Sequence, residues 1–113
     1  MTRARLRLGA AGEEAVARWY RRRGYRVIAR NWRCADGELD LVVRKGRTLV
    51  FCEVKTRSSL AFGHPAEAVT AAKQRRIRGL AIRYLDGNRH RGDLRFDVAA
   101  VLPGSIEVIE DCF

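Results

Sequence analysis

The pattern of apolar and polar positions changes its period along the chain, and each period predicts a different element. From about Arg5 to Arg23, apolar residues recur at helical spacing, which predicts an amphipathic helix. This stripe consists of Leu8, Gly12, Val16, Trp19 and Tyr20. A second helix is predicted from about Ala71 to Leu85, with Thr70 as its N-cap. Its stripe consists of Ile77, Leu80, Ala81, Tyr84 and Leu85.

Shorter apolar runs predict five strands, of which the first should span Tyr25 to Trp32 and the others should begin near Glu38, Thr48, Leu94 and Ser105. The second and third runs are apolar on both faces, with Leu39, Leu41 and Val43 expected on one face and Val42, Leu49 and Phe51 on the other. Such strands lie in the middle of a sheet that helices cover on both sides. The order α-β-β-β-α-β-β therefore predicts an α/β fold, with a central mixed sheet flanked by helices and residues 1–113 forming one domain.

Four charged residues interrupt the two central apolar strands: Glu38, Asp40, Glu53 and Lys55. Burying them is costly unless they are paired or bind a metal. Residues two apart share a face of a strand, and directly opposed residues share a face of the sheet. A two-residue turn at Lys45 and Gly46 would place Val42 opposite Leu49, Asp40 opposite Phe51 and Glu38 opposite Glu53. Turns of two or four residues gather all four charges on one face, whereas a three-residue turn separates them.

This grouping predicts a metal site. Three close carboxylates repel each other and stay ionised only beside a positive charge. Dense oxygen ligands suit a hard cation, Mg²⁺ or Mn²⁺, which can activate a bound water and screen a phosphate under attack. The pattern thus predicts a phosphodiester hydrolysis site built from Asp40, Glu53 and Lys55, with Glu38 as a further candidate ligand. The plainer alternative is a solvated Glu-x-Lys pair on an exposed strand face.

The net charge of +10 is unevenly distributed. Residues 1–35 hold ten Arg and two Glu, and residues 71–95 hold eight basic residues and two Asp. Residues 36–70 are neutral overall, and residues 96–113 carry four acids and no base. Two basic segments therefore flank the segment that carries the carboxylates, which favours nucleic acid as a partner. The alternative is an arginine-rich surface that only aids solubility.

Composition also limits the location of the protein. No run of 18 apolar residues exists, so no membrane span is expected, and the basic N-terminus lacks the apolar core of a signal peptide. A cytoplasmic protein is therefore predicted. Cys34, Cys52 and Cys112 form no zinc pattern with His64 and His90, which indicates structural thiols in a reducing compartment.

The D-x₁₂-E-x-K spacing from Asp40 to Lys55 resembles that of the PD-(D/E)xK nuclease superfamily. Nearly the whole chain resembles the YraN-like family of small bacterial proteins, which is related to Holliday junction resolvases. The segments that carry this resemblance are GAAGEEAVARWYRRRGYRVIARNWR, GELDLVV, LVFCEVKTR, FGHPAEAVTAAKQRRI and LRFDVAAV. The chain departs from the superfamily pattern at Leu39, where a proline precedes the aspartate in other branches.

The resemblance implies a restriction-endonuclease-like core and a role for each matching residue. Asp40, Glu53 and the Val54 carbonyl would hold Mg²⁺ or Mn²⁺, Lys55 would be the catalytic lysine, and Glu13 on the first helix would assist the metal site. It also implies a homodimer, as in resolvases that cut two strands symmetrically.

Five residues beside the site are candidates for phosphate contacts: Arg57, Lys73, Gln74, Arg75 and Arg76. The resulting hypothesis is a metal-dependent nuclease that hydrolyses phosphodiester bonds in nucleic acid, with DNA favoured over RNA and branched DNA among the candidate substrates. One rival is a non-catalytic nucleic-acid-binding module on the same fold. The other is an assembly protein whose carboxylates form a structural salt-bridge cluster with Lys55. Asp97 is predicted to be structural, and His64 to stabilise its loop.

Overall fold

The computed structural model describes residues 3–57 and 69–113, with side chains described from Gly9 onward in the first helix. In chain order, the elements are α1 (Arg3–Arg22), β1 (Arg26–Cys34), β2 (Gly37–Lys45), β3 (Thr48–Thr56), α2 (Ala71–Gly87), β4 (Asp93–Leu102) and β5 (Ser105–Ile109). The strands form one sheet in the order β1-β2-β3-β4-β5. Only β3 and β4 pair in parallel, so the predicted α/β fold with a mixed sheet is confirmed. The loop around His64 lies outside the described residues.

Each face of the sheet is covered by one helix. Val16, Ala17 and Tyr20 of α1 pack on one face, in a core cluster with Leu41, Val43, Val50, Cys52 and Ala99. On the other face, Ile77, Leu80, Ala81 and Tyr84 of α2 join the cluster of Leu39, Val42, Leu49, Phe51, Val69 and Val98. The expectation that Leu39 shares a face with Leu41 is wrong, because the alternation of β2 is interrupted between them.

The β2–β3 turn differs from the predicted one by one residue. Lys45 pairs with Thr48, so the turn consists of Gly46 and Arg47, and Val42 lies opposite Phe51 instead of Leu49. Gly46 has a φ of 59°, and it occupies the first turn position, where a type II′ hairpin requires glycine. Since the register shifts by two residues, the parity of the two strands is unchanged. The same register, extended past the last pair, brings Asp40 level with Glu53.

Both helix predictions agree closely with the structure. Helix α2 begins at Ala71, where the Thr70 hydroxyl accepts a hydrogen bond from the Lys73 amide at 3.3 Å. This confirms the predicted N-cap. Helix α1 begins earlier than expected, and β1 extends two residues further, to Cys34. Neither helix in the described part of the chain is both long and apolar enough to cross a membrane.

The three cysteines are unpaired, and Cys52 is buried in the core. Burial raises the pKa of the Cys52 thiol, so it stays protonated and unreactive at neutral pH. Such a thiol has the structural role that the sequence predicts for it.

Asp97 is fully buried and ties the C-terminus and α1 to β4. Its carboxylate accepts hydrogen bonds from the Tyr20 hydroxyl at 2.6 Å and from the Asp111 amide at 3.0 Å. Arg95 donates two further bonds to it, from Nε at 2.8 Å and from Nη2 at 2.9 Å. A buried carboxylate is tolerated only with such complete pairing. The structural role predicted for Asp97 follows from this network.

Replacing Asp97 by alanine should therefore destabilise the fold strongly. The change leaves the Arg95 guanidinium, whose side chain is only 19% exposed, without its main partner. We expect Asp97→Ala to lower the free energy of unfolding by about 3–5 kcal/mol, measured by urea denaturation. The control is Asp93→Ala, which removes an exposed carboxylate from the same strand. It should change the free energy of unfolding by less than about 0.5 kcal/mol. Similar losses in the two variants would contradict the assigned role.

Candidate functional site

The ladder between β2 and β3 opens at Asp40. The last regular pair joins Leu41 to Cys52. Beyond it, the Val54 amide donates a hydrogen bond to Oδ2 of Asp40 at 2.9 Å, so a side chain takes the place of a backbone acceptor. Strand β3 instead continues its parallel pairing with β4 as far as Thr56. The Asp40 carboxylate is thereby held at the gap between the two central strands.

Glu53 and Lys55 share one face of β3 beside this gap. Nζ of Lys55 lies 3.3 Å from Oε1 of Glu53, and both side chains are largely buried, with 25% and 16% of their surface exposed respectively. Burial, followed by repulsion from Glu53, raises the pKa of Asp40 to about 7, and a hydrogen bond to Glu53 acts in the same direction. The Val54 amide opposes this shift. The raised pKa of Asp40 thus reflects its burial beside a second carboxylate.

Helix α1 contributes negative charge to the same region through Glu13, whose charge also raises the pKa of Asp40. Oε2 of Glu13 accepts a hydrogen bond from the side-chain amide of Asn31 at 3.0 Å. The neighbouring Glu14 is engaged elsewhere, by Arg30, Arg18 and Arg21. Hydrogen bonding to Arg30 is the main reason why the pKa of Glu14 lies below its ordinary value. Of the two adjacent glutamates, Glu13 is thus the one whose charge acts on Asp40.

Glu38, the remaining candidate ligand, has a different neighbour. Its Oε2 lies 3.2 Å from Nε of Arg33 on the adjacent strand. Within residues 3–57 and 69–113, no three Asp, Glu, His or Cys side chains are grouped closely enough to hold an ion together. The structure therefore brings Asp40, Glu53 and Lys55 together, places Glu13 near them, and leaves Glu38 paired with Arg33.

The remaining donors fit a hard cation. Asp40 and Glu53 offer carboxylate oxygens, and the Val54 carbonyl lies between Glu53 and Lys55 in the chain. Mg²⁺ retains several waters and needs only one or two protein carboxylates. A cation bound between the two carboxylates would also reduce the repulsion between them. The oxygen donors at this position are thus of the type that Mg²⁺ and Mn²⁺ prefer.

The candidate phosphate contacts lie at the same end of the sheet. Because β3 and β4 are parallel and α2 connects them, the N-terminal turns of α2 follow the end of β3 that carries Lys55. Lys73, Arg75 and Arg76 are exposed there. Gln74 is half-buried and donates to the Val69 carbonyl at 3.1 Å, so its amide is engaged within the fold.

Arg57 follows directly after β3. Its backbone amide is bonded to the Val101 carbonyl at 2.8 Å, which fixes the chain at this point. Its Nε is buried and has no hydrogen-bond partner. Leaving a buried guanidinium donor without a partner is energetically costly.

Asn31 is the residue near the site that the sequence analysis missed. It has a φ of 49°, a left-handed conformation in the middle of a strand. Asparagine is rare in strands and tolerates this conformation better than most residues. An asparagine within the otherwise alternating run YRVIARNW was therefore a usable signal for an irregular position.

The fold and the site together define an α/β protein with a carboxylate pair and a lysine at the open end of its central β2–β3 ladder. A profile of the uncharacterised protein family UPF0102 matches residues 12–101. The UPF0102 protein of Beutenbergia cavernae is 58% identical over 101 residues, which cover 88% of this chain and 86% of that protein. That of Rhodococcus jostii is 49% identical over 114 residues, with 96% and 97% covered. The chain belongs to the UPF0102 family, as its YraN-like segments indicate.

The pKa of Asp40 predicts how stability depends on pH without divalent cations. A carboxyl whose pKa is raised by folding contributes stability that is present below its unfolded pKa, near 4, and lost as the pH rises through about 7. Asp40→Asn removes this loss and keeps an oxygen for the Val54 amide. At pH 8 in EDTA, we expect the variant to be more stable than the parent by about 2 kcal/mol. Urea denaturation between pH 4 and pH 8 measures this difference, and parallel stability curves would contradict it.

Proposed function

We propose that this protein is a metal-dependent nuclease that hydrolyses phosphodiester bonds in nucleic acid. The observation that carries the proposal is the convergence of Asp40, Glu53 and Lys55 where β2 and β3 separate. Carboxylates are rarely placed this close within an apolar sheet without a functional reason. Membership of the UPF0102 family is consistent with the proposal but names no reaction.

Each residue of the site has a distinct role in this proposal. Asp40, Glu53 and the Val54 carbonyl would hold Mg²⁺ or Mn²⁺, which supplies Lewis-acid stabilisation of the phosphate when bound. The Val54 amide fixes the Asp40 carboxylate in the gap through its 2.9 Å hydrogen bond. The Lys55 ammonium, 3.3 Å from Glu53, places a positive charge where a phosphate oxygen would lie. Glu13 adds negative charge at the rim.

The basic residues around the site support nucleic acid as the substrate. Lys73, Arg75 and Arg76 are exposed on α2, and none of them is engaged in an ion pair among the described residues. Free cations at a helix surface suit the phosphates of a backbone more than one compact anion. In this proposal the carboxylates and Lys55 serve cleavage, and the surrounding cations bind the nucleic-acid backbone.

A cleavage assay tests the proposal. Single-stranded, duplex, flapped and four-way-junction DNA, with matched RNA, would be incubated with Mn²⁺, Mg²⁺ or EDTA. We expect cleavage that requires the metal and falls by about 100-fold or more in Glu53→Gln, because a group that organises transition-state charge is lost. The substrate cut fastest identifies the substrate class.

Glu110→Gln is the matched control, since Glu110 is a half-exposed carboxylate 3.8 Å from Arg95 and apart from the site. It should cleave like the parent protein. Equal cleavage by the parent and Glu53→Gln would contradict the proposal. Salt-dependent binding without cleavage, retained by Glu53→Gln, would identify a non-catalytic nucleic-acid-binding module. Marked unfolding of Glu53→Gln would favour a structural salt-bridge cluster instead.

The arginines of α2 should contribute to binding through phosphate contacts. In the double variant Arg75→Gln/Arg76→Gln, we expect the slope of log K against log salt concentration to shrink by about two. The control is Arg83→Gln on the same helix, where Arg83 is already paired with Asp36 at 2.8 Å. In this variant the slope should change by less than about 0.5. Fluorescence anisotropy at several salt concentrations measures both slopes. If this slope changes by the same amount per arginine in both variants, the arginines act as general surface charge and make no specific phosphate contacts.

A further inference from the structure

Asn31 breaks the alternation of β1 at the level of the site. Consecutive side chains of a regular strand point to opposite faces. Here, Arg30 bonds to Glu14 of α1, and the next residue, Asn31, bonds to Glu13 of the same helix. The φ of 49° at Asn31 allows the side chains of Arg30 and Asn31 to reach α1 together. Two adjacent strand residues therefore hold two adjacent helix residues.

The other side of the sheet shows the same interruption. After Asn31, Trp32 turns to the α2 face, where its ring packs edge-on against Tyr84 at 5.4 Å. Arg30 pairs with Leu41 and Trp32 pairs with Leu39, which leaves Asn31 level with Asp40. Leu41 and Leu39 accordingly lie on opposite faces. The irregularity is thus centred on Asn31 and Asp40 together.

This conformation is not free of cost. A non-glycine residue with positive φ is uncommon, and such residues cluster at functional sites. Asn31 lies level with Asp40 on the adjacent strand. Its 3.0 Å hydrogen bond to Glu13 therefore holds that carboxylate beside the site at the level of Asp40.

We propose that Asn31 is a positioning residue that aims the Glu13 carboxylate at the Asp40–Glu53 pair and thereby strengthens binding of a divalent cation there. The inference rests on the proposed function, because it needs a cation at the carboxylate pair. Asn31 acts only through Glu13 and touches no reacting atom. Its left-handed backbone and its amide are both required, one to direct the side chain and the other to hold the carboxylate.

The test is the affinity of the protein for Mn²⁺, followed by the electron paramagnetic resonance signal of the free ion. Asn31→Gly keeps the positive φ without strain but removes the amide. We expect it to bind Mn²⁺ about 10-fold more weakly, because a unit negative charge is no longer held beside the cation. In a Glu13→Gln background, the same change should have no further effect, since its target is gone.

Two controls separate positioning from folding. Asn31→Ala also lacks the amide and adds backbone strain, so it should lose the same Mn²⁺ affinity and unfold at a lower urea concentration than Asn31→Gly. Glu14→Gln removes the neighbouring strand–helix contact and should bind Mn²⁺ like the parent protein. Affinity loss that follows the urea midpoint across these variants would overturn the inference.

The outcomes also separate the inference from the proposed function. If the parent protein binds Mn²⁺ and Asn31→Gly binds it equally well, Asn31 is a structural irregularity only and the inference fails alone. If the parent protein and Asp40→Asn both fail to bind Mn²⁺, the cation site is absent and both proposals fall. Loss in Asn31→Gly that persists in the Glu13→Gln background would show that Asn31 does not act through Glu13.

Discussion

The hydrogen bond from the Val54 amide to the Asp40 carboxylate is the interaction on which the site depends. It ends the β2–β3 ladder one residue after the Leu41–Cys52 pair and fills the gap with a carboxylate. A backbone donor inside a sheet must find an acceptor, and here it finds one that can also serve a cation. The same bond lowers the pKa of Asp40, while burial and Glu53 raise it. The position of Asp40 in the strand opening thus accounts both for its hydrogen bond to Val54 and for its raised pKa.

The rest of the fold holds this opening in place. Helix α2 covers one face of the sheet, and helix α1 covers the other. The buried Asp97 network fastens Tyr20 of α1 to β4, and the contacts from Arg30 and Asn31 fasten α1 to β1 at the level of the site. Gly12 of α1 lies so close to β3 that a Cβ atom added at Gly12 would clash with the hydroxyl of Thr56. Helix α1 is thus fixed both along the core and at the level of Asp40, which sets the position of Glu13.

Strong periodicity made most of the fold predictable, and local irregularity limited what could be predicted of the site. The helices, the order of helices and strands along the chain, the Thr70 cap and the parity that groups Asp40, Glu53 and Lys55 all follow from spacing. The register did not, because it depends on whether Gly46 takes the first or the second turn position. The face of Leu39 and the role of Asn31 were missed for one reason: an interruption of alternation depends on a single backbone torsion that neighbouring residues do not reveal. The resemblance supplied Glu13, which no pattern of the residues indicates.

The most direct test of the account is a crystal structure of the protein soaked in Mn²⁺, with diffraction recorded so that the anomalous signal of the ion locates it. A cation held by Asp40 and Glu53 should give a strong peak between their carboxylates, within reach of the Val54 carbonyl, and this peak should disappear in Asp40→Asn. No peak at this position, with Glu53 still paired to Lys55 and Mn²⁺ bound elsewhere or not at all, would contradict the account.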